Sequence, residues 1–285
     1  MTDPILTKEL SDKVWLIIED VSECIIMSYY NSLKHEHIHT KANSSIVTDA
    51  DVLAEKEFTK LLGQLIPGCK VMGEEAYEAN PDVAKNLKSK GYCWVIDPID
   101  GTANFATKKG NFGVLIALVK DGQPIGGWLY DVPQKRGYYA FKDQGVFDKD
   151  HNKVSVDLSS PFDETKIKGY ANPKYFQRCP DPIRKNVTDL SDEFCKNVFD
   201  PYASVIQYMD LLNGVTDFVI TNNQMPWDHA AGQLMISELK KAPAGISVVG
   251  NKTYNLEKPW RLKEDVMVTT LRPKVEKLIL SRLRK

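Results

Sequence analysis

The sequence predicts an α/β protein, with helices on a largely antiparallel sheet in the first half and a mixed α/β second half. Apolar residues recur at helical spacing over residues 8–33 and 51–65. Short runs of strand-forming residues separated by turns occupy residues 92–147. No Ser/Gly-rich linker follows, so we expect residues 1–155 and 156–285 to be two halves of one compact unit.

Two helices are predicted before the first strand of the sheet. The first covers residues 8–33, and the second runs from Asp51 to Leu65 and ends before Pro67-Gly68. Residues with a hydroxyl or carboxyl group precede each helix and suit its amino-terminal cap. The candidate caps are Thr7 and Ser11 for the first helix, and Thr48 and Asp49 for the second.

The strands of the first half form a meander. A run of strand formers from Tyr92 to Ile96 ends at Asp97-Pro98. Runs at 113–119 and 125–130 are separated by Lys120-Asp121-Gly122-Gln123, which is typical of a hairpin turn. Two further short strands are predicted at 138–141 and 145–147.

The second half mixes helix and strand patterns. A helix is predicted at 205–212, stopped near Asn213-Gly214, followed by a strand at 217–220 and a helix at 227–239. The last segment, 274–285, is an amphipathic helix with basic ends, which we interpret as a solvated face. The five tryptophans are interpreted as core or pocket-wall residues.

Composition excludes several classes of protein. The formal net charge of the 285 residues is −1, which gives no overall basic field for nucleic acid or an anionic membrane. No apolar run approaches the roughly 20 residues of a membrane span, and the amino terminus does not resemble a signal peptide. The five scattered cysteines contain no CxxC pair, which argues against disulfides and zinc. We therefore expect a soluble cytoplasmic protein.

The segment most typical of catalysis is Asp97-Pro98-Ile99-Asp100-Gly101-Thr102. Two carboxylates lie three residues apart at a strand end, and a helix predicted near Thr102 would point its first amides at an anion. Carboxylates and phosphate repel each other unless divalent cations lie between them, so the segment predicts hard metal ions. Taken alone, it is equally compatible with Asp97 capping a turn and Asp100 capping the helix.

Three other acidic segments share this ambiguity. Glu74 belongs to Gly73-Glu74-Glu75, which alone is typical of solvated surface. Asp228, in Pro226-Trp227-Asp228-His229, lies at a predicted helix start and would alone be a capping residue. Asp51 also lies at a helix start.

In combination, the segments resemble the inositol monophosphatase family of magnesium-dependent, lithium-sensitive phosphatases. The shared pattern is an upstream Asp, Gly-Glu-Glu, Asp-Pro-Ile-Asp-Gly-Thr and Trp-Asp-x-Ala-Ala-Gly, in that order and at similar separations, between Lys41 and Glu238. The resemblance implies a layered αβαβα sugar-phosphatase fold and hydrolysis of a small phosphomonoester by metal-activated water. It also implies two to three Mg²⁺ ions and a homodimer. From the net charge and the lack of a long apolar run, we expect no membrane or nucleic acid partner.

The resemblance also implies a role for each matching residue. Metal ligands would be Glu74, Asp97, the carbonyl of Ile99, Asp100 and Asp228. Asp51 and Thr102, with Glu74, would activate the attacking water, and the amides of Gly101 and Thr102 would bind phosphate. Lys41 would lie near the outer metal ion, and both Lys41 and Asp228 would border the substrate.

The sequence departs from the family pattern near the expected substrate. Thr221 replaces the glutamate that binds sugar hydroxyls in inositol-specific members, and Pro201-Tyr202-Ala203-Ser204 replaces a smaller turn, which predicts a bulkier pocket wall. Glu238-Leu239-Lys240-Lys241 replaces Glu-Ala-Gly-Gly. The substrate could therefore be an inositol phosphate, histidinol phosphate, fructose 1,6-bisphosphate or a 3′(2′),5′-bisphosphate nucleotide.

A function of another class is a non-catalytic, RNA- or transcription-associated regulatory protein on the same scaffold. Loss of a metal ligand would favour it, and every matching ligand is present. His35, His37 and His39 alternate, but we interpret them as solvated residues and not as a metal site. For His229 we expect a capping or surface role.

Overall fold

The computed structural model describes residues 3–41, 45–157, 163–177, 179–242, 245–247 and 266–284. The α-helices are α1 (Lys8–Val21), α2 (Ser28–Ser32), α3 (Asp49–Leu65), α4 (Glu74–Ala79), α5 (Thr102–Ala106), α6 (Asp181–Phe194), α7 (Ser204–Leu212), α8 (Pro226–Lys240) and α9 (Pro273–Leu283). The strands are β1 (Ile38–Thr40), β2 (Ile46–Thr48), β3 (Lys70–Gly73), β4 (Tyr92–Asp100), β5 (Gly113–Lys120), β6 (Gln123–Asp131), β7 (Arg136–Phe141), β8 (Gly145–Asp148), β9 (Gly169–Tyr170), β10 (Phe218–Asn222), β11 (Gly245–Ser247) and β12 (Val266–Thr269).

The two predicted helices of the first half are present, with their caps defined. Thr7, and not Ser11, caps α1: its hydroxyl accepts the Leu10 amide at 3.1 Å. The predicted continuation to residue 33 is divided, because a π-helical turn, Ser22–Met27, separates α1 from α2. Helix α3 begins at Asp49, directly after its cap Thr48 and two residues earlier than predicted.

The first sheet has the strand order β3-β4-β5-β6-β7-β8. Strands β3 and β4 are parallel, and every later neighbouring pair is antiparallel, which confirms the predicted meander. In the turn between β5 and β6, Asp121 and Gly122 have φ of 49° and 81°, the left-handed values that a tight hairpin requires.

The first sheet is buried on both faces because its side chains alternate between two hydrophobic clusters. Trp94 and Ile96 pack with residues of α1 and α3 on one face. Val95 and Leu115 pack with residues of α7 and α8 on the other. Trp15, Trp128 and Trp227 are also buried, as predicted, and Trp260 lies outside the described residues.

The second sheet has the order β11-β12-β10-β9 and is mixed, since β9 and β10 are parallel and the other pairs antiparallel. Val219 packs in the same cluster as α7 and α8. Phe218 and Ile220 face the opposite way, with residues of α6 and α9. The layers are therefore helix, sheet, helix, sheet, helix, which confirms the predicted αβαβα fold.

Two further expectations have clear outcomes. The carboxy-terminal amphipathic helix is present as α9, and Val275 and Ile279 on its apolar face are buried. The expectation for His229 is wrong: it lies inside α8 with 7% of its surface exposed, and burial lowers its pKa to about 3. No helix among the described residues is long and apolar enough to cross a bilayer.

Candidate active site

Strand β4 delivers the central pair of carboxylates. The strand does not stop at Asp97-Pro98, as predicted, but continues to Asp100. Its pairing with β5 places Asp97 opposite Leu115, and the register then shifts so that Asp100 is opposite Gly113. The shift is a bulge with one extra residue on β4, a position that tolerates proline. Because side chains of a regular strand alternate, the extra residue allows two residues three apart to face one side.

Both carboxylates are buried and bound by backbone amides. Asp97 Oδ1 accepts the amide of Ile99 at 3.1 Å, and Asp100 Oδ2 accepts the amide of Val205, at the start of α7, at 2.6 Å. Burial raises the pKa of Asp100 to about 7. Burial, followed by the charge of Glu74, raises the pKa of Asp97 well above its usual range.

The parallel strand β3 brings Glu74 to the same place. Gly73 lies opposite Ile96 in the register, so Glu74, the next residue, starts α4 beside Asp97. The charge of Glu74 contributes to the raised pKa of Asp97, of Asp100 and of Asp228. The structure therefore brings the predicted glutamate to the predicted aspartates.

Sequence reasoning missed Glu55, which supports this turn. One Glu55 oxygen accepts the amide of Glu75 and the other accepts that of Ala76, both at 2.7 Å. A Cβ added at Gly73 would lie 2.2 Å from the Glu55 carboxyl carbon, so a larger residue there would displace the Glu55 carboxylate. Glu55 is four residues after Asp51 on α3, and this spacing of two acids on one helix face was the available signal.

Asp228 comes from the second half of the chain. It lies in the first turn of α8, and its Oδ2 accepts the amide of Met225, the helix cap, at 2.7 Å. The capping role and the predicted ligand role are therefore compatible. Burial, followed by the charge of Glu74, raises the pKa of Asp228 well above its usual range.

A cation is needed where these carboxylates meet. Lys41 supplies one charge: its Nζ lies 2.8 Å from Glu74 Oε1 and 2.8 Å from Glu75 Oε1. Among the described residues, no group of three or more Asp, Glu, His or Cys side chains is arranged to hold a metal ion. The donors, carboxylate oxygens and nearby carbonyls, nevertheless suit hard divalent cations.

Asp51 and Thr102 form the predicted pair. The Thr102 hydroxyl lies 3.1 Å from Asp51 Oδ1 and 3.0 Å from the Ile99 carbonyl oxygen, so it can donate to either. The other Asp51 oxygen accepts the amide and hydroxyl of Thr48 at 2.8 and 2.5 Å. Asp51 is 1% exposed, and burial raises its pKa to about 7. The contacts with Thr48 and Thr102 therefore hold the Asp51 carboxylate in position, and its burial sets its pKa.

Gly101 makes the turn between β4 and α5. Its φ is 86°, and an added Cβ would lie 2.7 Å from the Asn111 carbonyl oxygen, so glycine is required. Helix α5, which the sequence predicts to start near Thr102, is only five residues long. An anion at this turn would therefore be bound by individual backbone amides more than by a helix dipole.

A cavity of about 300 Å³ adjoins Asp100 and Asp228. Its wall includes Tyr202 and Thr221, the two positions at which the sequence predicts a departure from the family pocket. Tyr202 lines this wall and is 41% exposed. Its backbone is in the left-handed region, with φ of 54°.

Two of the three alternating histidines make local polar contacts. His39 Nε2 lies 2.8 Å from Asp49 Oδ1, and His37 Nδ1 accepts the Lys34 amide. Both groups are therefore engaged in local contacts.

Comparison with known proteins gives consistent results. The chain is 28% identical over 274 residues to an inositol-1-monophosphatase of Bacillus subtilis, covering 94% of this chain and 92% of that protein. It is 31% identical over 156 residues to a 3′(2′),5′-bisphosphate nucleotidase CysQ of Aggregatibacter actinomycetemcomitans, 55% of each chain. The fold is similar to that of a Thermotoga maritima IMPase, with a TM-score of 0.73, 18% identity and 95% coverage of each chain.

Other relatives carry different names. They include a histidinol-phosphatase of Mycobacterium tuberculosis at 27% identity, over 70% of this chain and 74% of that protein. A fructose-1,6-bisphosphatase/inositol-1-monophosphatase of Aquifex aeolicus is 24% identical, over 81% of this chain and 87% of that protein.

The inositol monophosphatase family model matches residues 16–240, a span that contains every acidic residue of the site described above. That family consists of generally metal-dependent phosphatases, so the chain is a phosphomonoester hydrolase that acts on a small phosphorylated substrate. The chain belongs to the inositol monophosphatase family.

Proposed function

We propose that the chain hydrolyses a small phosphomonoester with two to three Mg²⁺ ions as its cofactor. The observation that carries the proposal is the convergence of Glu74 with Asp97, Asp100 and Asp228: the charge of Glu74 contributes to the raised pKa of all three aspartates, which requires the four carboxylates to lie at one place. Glu74, Asp97, the Ile99 carbonyl, Asp100 and Asp228 would hold the ions. Bound divalent cations neutralise charge on the phosphoryl group and lower the pKa of a water ligand.

The chain's own groups orient and deprotonate the attacking water. When Thr102 donates its proton to Asp51, its hydroxyl oxygen keeps lone pairs that can accept a proton from water. That proton passes to Thr102 Oγ1 as the Thr102 proton passes to Asp51. Burial keeps the pKa of Asp51 near 7, where a general base works well at neutral pH.

The phosphate is bound at the turn after β4. Gly101 and Thr102 lie at the start of α5, and their amides would donate to phosphate oxygens. Lys41, beside Glu74, would contribute positive charge at the outer edge. Phosphoryl transfer needs this positioning and charge neutralisation more than covalent help.

The proposal extends to a homodimer in the cytoplasm that is inhibited by lithium, as the family resemblance implies. None of the five cysteines forms a disulfide in the described structure, which suits a reducing compartment. Sedimentation analysis of the purified chain tests the oligomeric state, and lithium titration of the magnesium-supported rate tests inhibition.

Magnesium dependence and Asp97→Asn test the central claim. We expect no turnover of phosphomonoesters in chelator, recovery with added Mg²⁺, and a loss of about a thousandfold or more in kcat for Asp97→Asn. Asp192→Asn, which removes an exposed carboxylate on α6, is the matched control and should keep the full rate. A wild-type rate for Asp97→Asn would remove Asp97 from the mechanism.

A further inference from the structure

The cavity beside Asp100 and Asp228 has an unusual charge pattern. Its described lining contains three carboxylates, Asp100, Asp200 and Asp228, and no Lys, Arg or His. Bound ions would neutralise the charges of Asp100 and Asp228. The negative charge of Asp200 would remain. A leaving group that enters this cavity therefore meets a net negative wall.

Oxygen atoms without hydrogen-bond partners are concentrated around this cavity. Asp200 Oδ2, Thr221 Oγ1, Asn222 Oδ1 and Gln224 Oε1 are all buried and unpartnered, and all four residues line it. A buried acceptor without a donor costs about 1–3 kcal/mol, so such atoms are rare. The protein itself therefore supplies no donor to these four oxygens among the described residues.

Asp200 is the most demanding of these residues because a carboxylate only accepts hydrogen bonds. Its Oδ1 is held by the Tyr202 amide at 2.9 Å and by Gln207 Nε2 at 3.0 Å. These bonds fix the carboxylate in place, and Oδ2 is left without a donor. A fixed carboxylate with an unused oxygen favours a positively charged donor over a neutral one.

We infer that the leaving group is an alcohol that carries a positively charged amine, which pairs with Asp200, and that it carries no second phosphate. A second phosphate would lie against Asp200 with no described basic residue to bind it. A neutral polyol would supply donors to Thr221 or Asn222 but would leave the Asp200 charge unpaired. The inference rests on the proposed phosphatase function and narrows its substrate.

The test compares substrates that differ in one group. Histidinol phosphate carries the amine, N-acetylhistidinol phosphate lacks its charge, myo-inositol 1-phosphate is a neutral polyol, and fructose 1,6-bisphosphate carries a second phosphate. We expect kcat/KM with Mg²⁺ to be at least about tenfold higher for histidinol phosphate than for each of the others.

Asp200→Asn should remove most of the preference of histidinol phosphate over its N-acetyl form, because Asn keeps the shape but not the charge. Asp192→Asn removes a charge from exposed helix α6 and should leave that ratio unchanged. Calorimetric binding of the free alcohols, histidinol and N-acetylhistidinol, gives the preference without turnover.

Equal or faster hydrolysis of the bisphosphate or the polyol overturns the inference, as does an unchanged ratio in Asp200→Asn. Absence of hydrolysis for every phosphomonoester with Mg²⁺ instead overturns the proposed function. In that case the calorimetric preference, present or absent, still decides the role of Asp200.

Discussion

The acidic wall of the site is built differently from the wall of the adjoining cavity. By acidic wall we mean the carboxylates Glu55, Glu74, Asp97, Asp100 and Asp228. In the acidic wall, Asp97, Asp100 and Asp228 each accept a backbone amide, and Glu55 accepts two. In the cavity wall, Asp200, Thr221, Asn222 and Gln224 each keep a buried oxygen without a partner. The acidic side chains are held by strand ends and helix starts, whereas much of the cavity wall lies in loops and at an element end.

This difference separates catalysis from recognition. Groups that stabilise a transition state must be held before the substrate arrives, and backbone amides on rigid elements hold them. Groups that recognise a leaving group can be completed by that molecule, since each unpaired acceptor favours the ligand that supplies its donor. Changes in the acidic wall should therefore alter kcat or metal binding, and changes in the cavity wall should alter substrate preference.

Among the predictions that test this contrast between catalysis and recognition, the largest effect is expected for Thr102. We expect Thr102→Ala to lower kcat about a hundredfold or more with little change in KM, because the hydroxyl between Asp51 and the Ile99 carbonyl is lost. The measurement is steady-state kinetics at saturating Mg²⁺. Thr107→Ala is the matched control, since Thr107 lies just after α5 and its hydroxyl donates to the Ala103 carbonyl. A change confined to KM would place Thr102 in substrate recognition instead.

A smaller effect, on metal binding, is expected for Glu55→Gln. The amide group of Gln can accept only one of the two amides that Glu55 binds, and its NH₂ end would face the other, so the turn that carries Glu74 should shift. We expect the Mg²⁺ concentration for half-maximal rate to rise about tenfold, with most of kcat retained at saturating Mg²⁺.

Glu57→Gln on the same helix is the control for Glu55→Gln, because Glu57 contacts only the exposed Lys60 among the partners described for it. Calorimetric titration of Mg²⁺ into both variants measures affinity independently of turnover. Unchanged affinity together with a lower melting temperature would assign Glu55 a purely structural role.

The positions of the acidic wall residues at element ends could be predicted from local rules, but their common role was implied only by the family resemblance. Asp97, Asp100 and Asp228 lie at a strand end and a helix start, where periodicity and turn residues mark the boundary. The pairing of Asp51 with Thr102 was implied by the family resemblance. Thr221 and Tyr202 were expected at the pocket wall for the same reason, and both line the cavity.

What could not be predicted depends on contacts between distant parts of the chain. Glu55 looks like an ordinary helix glutamate until β3 and α4 pack against it. His229 looks exposed because it follows a capping aspartate, yet α8 lies between two sheets and buries it. The importance of Asp200 rests on an unpaired oxygen in a three-dimensional wall, which no spacing rule reveals.

The smallest predicted effect is a change in Mg²⁺ affinity on substitution of Lys41, which contacts the acidic wall. Its Nζ forms ion pairs with Glu74 and Glu75. Because Glu74 is a proposed metal ligand, the lysine charge would compete with a metal ion for this carboxylate. We expect Lys41→Met to lower the Mg²⁺ dissociation constant about two- to fivefold, the range of an ion pair worth up to about 1 kcal/mol. Lys60→Met, which removes an exposed ion pair with Glu57, should leave it unchanged. Weaker Mg²⁺ binding in Lys41→Met would mean that the lysine orients Glu74 for the ion and does not compete with it.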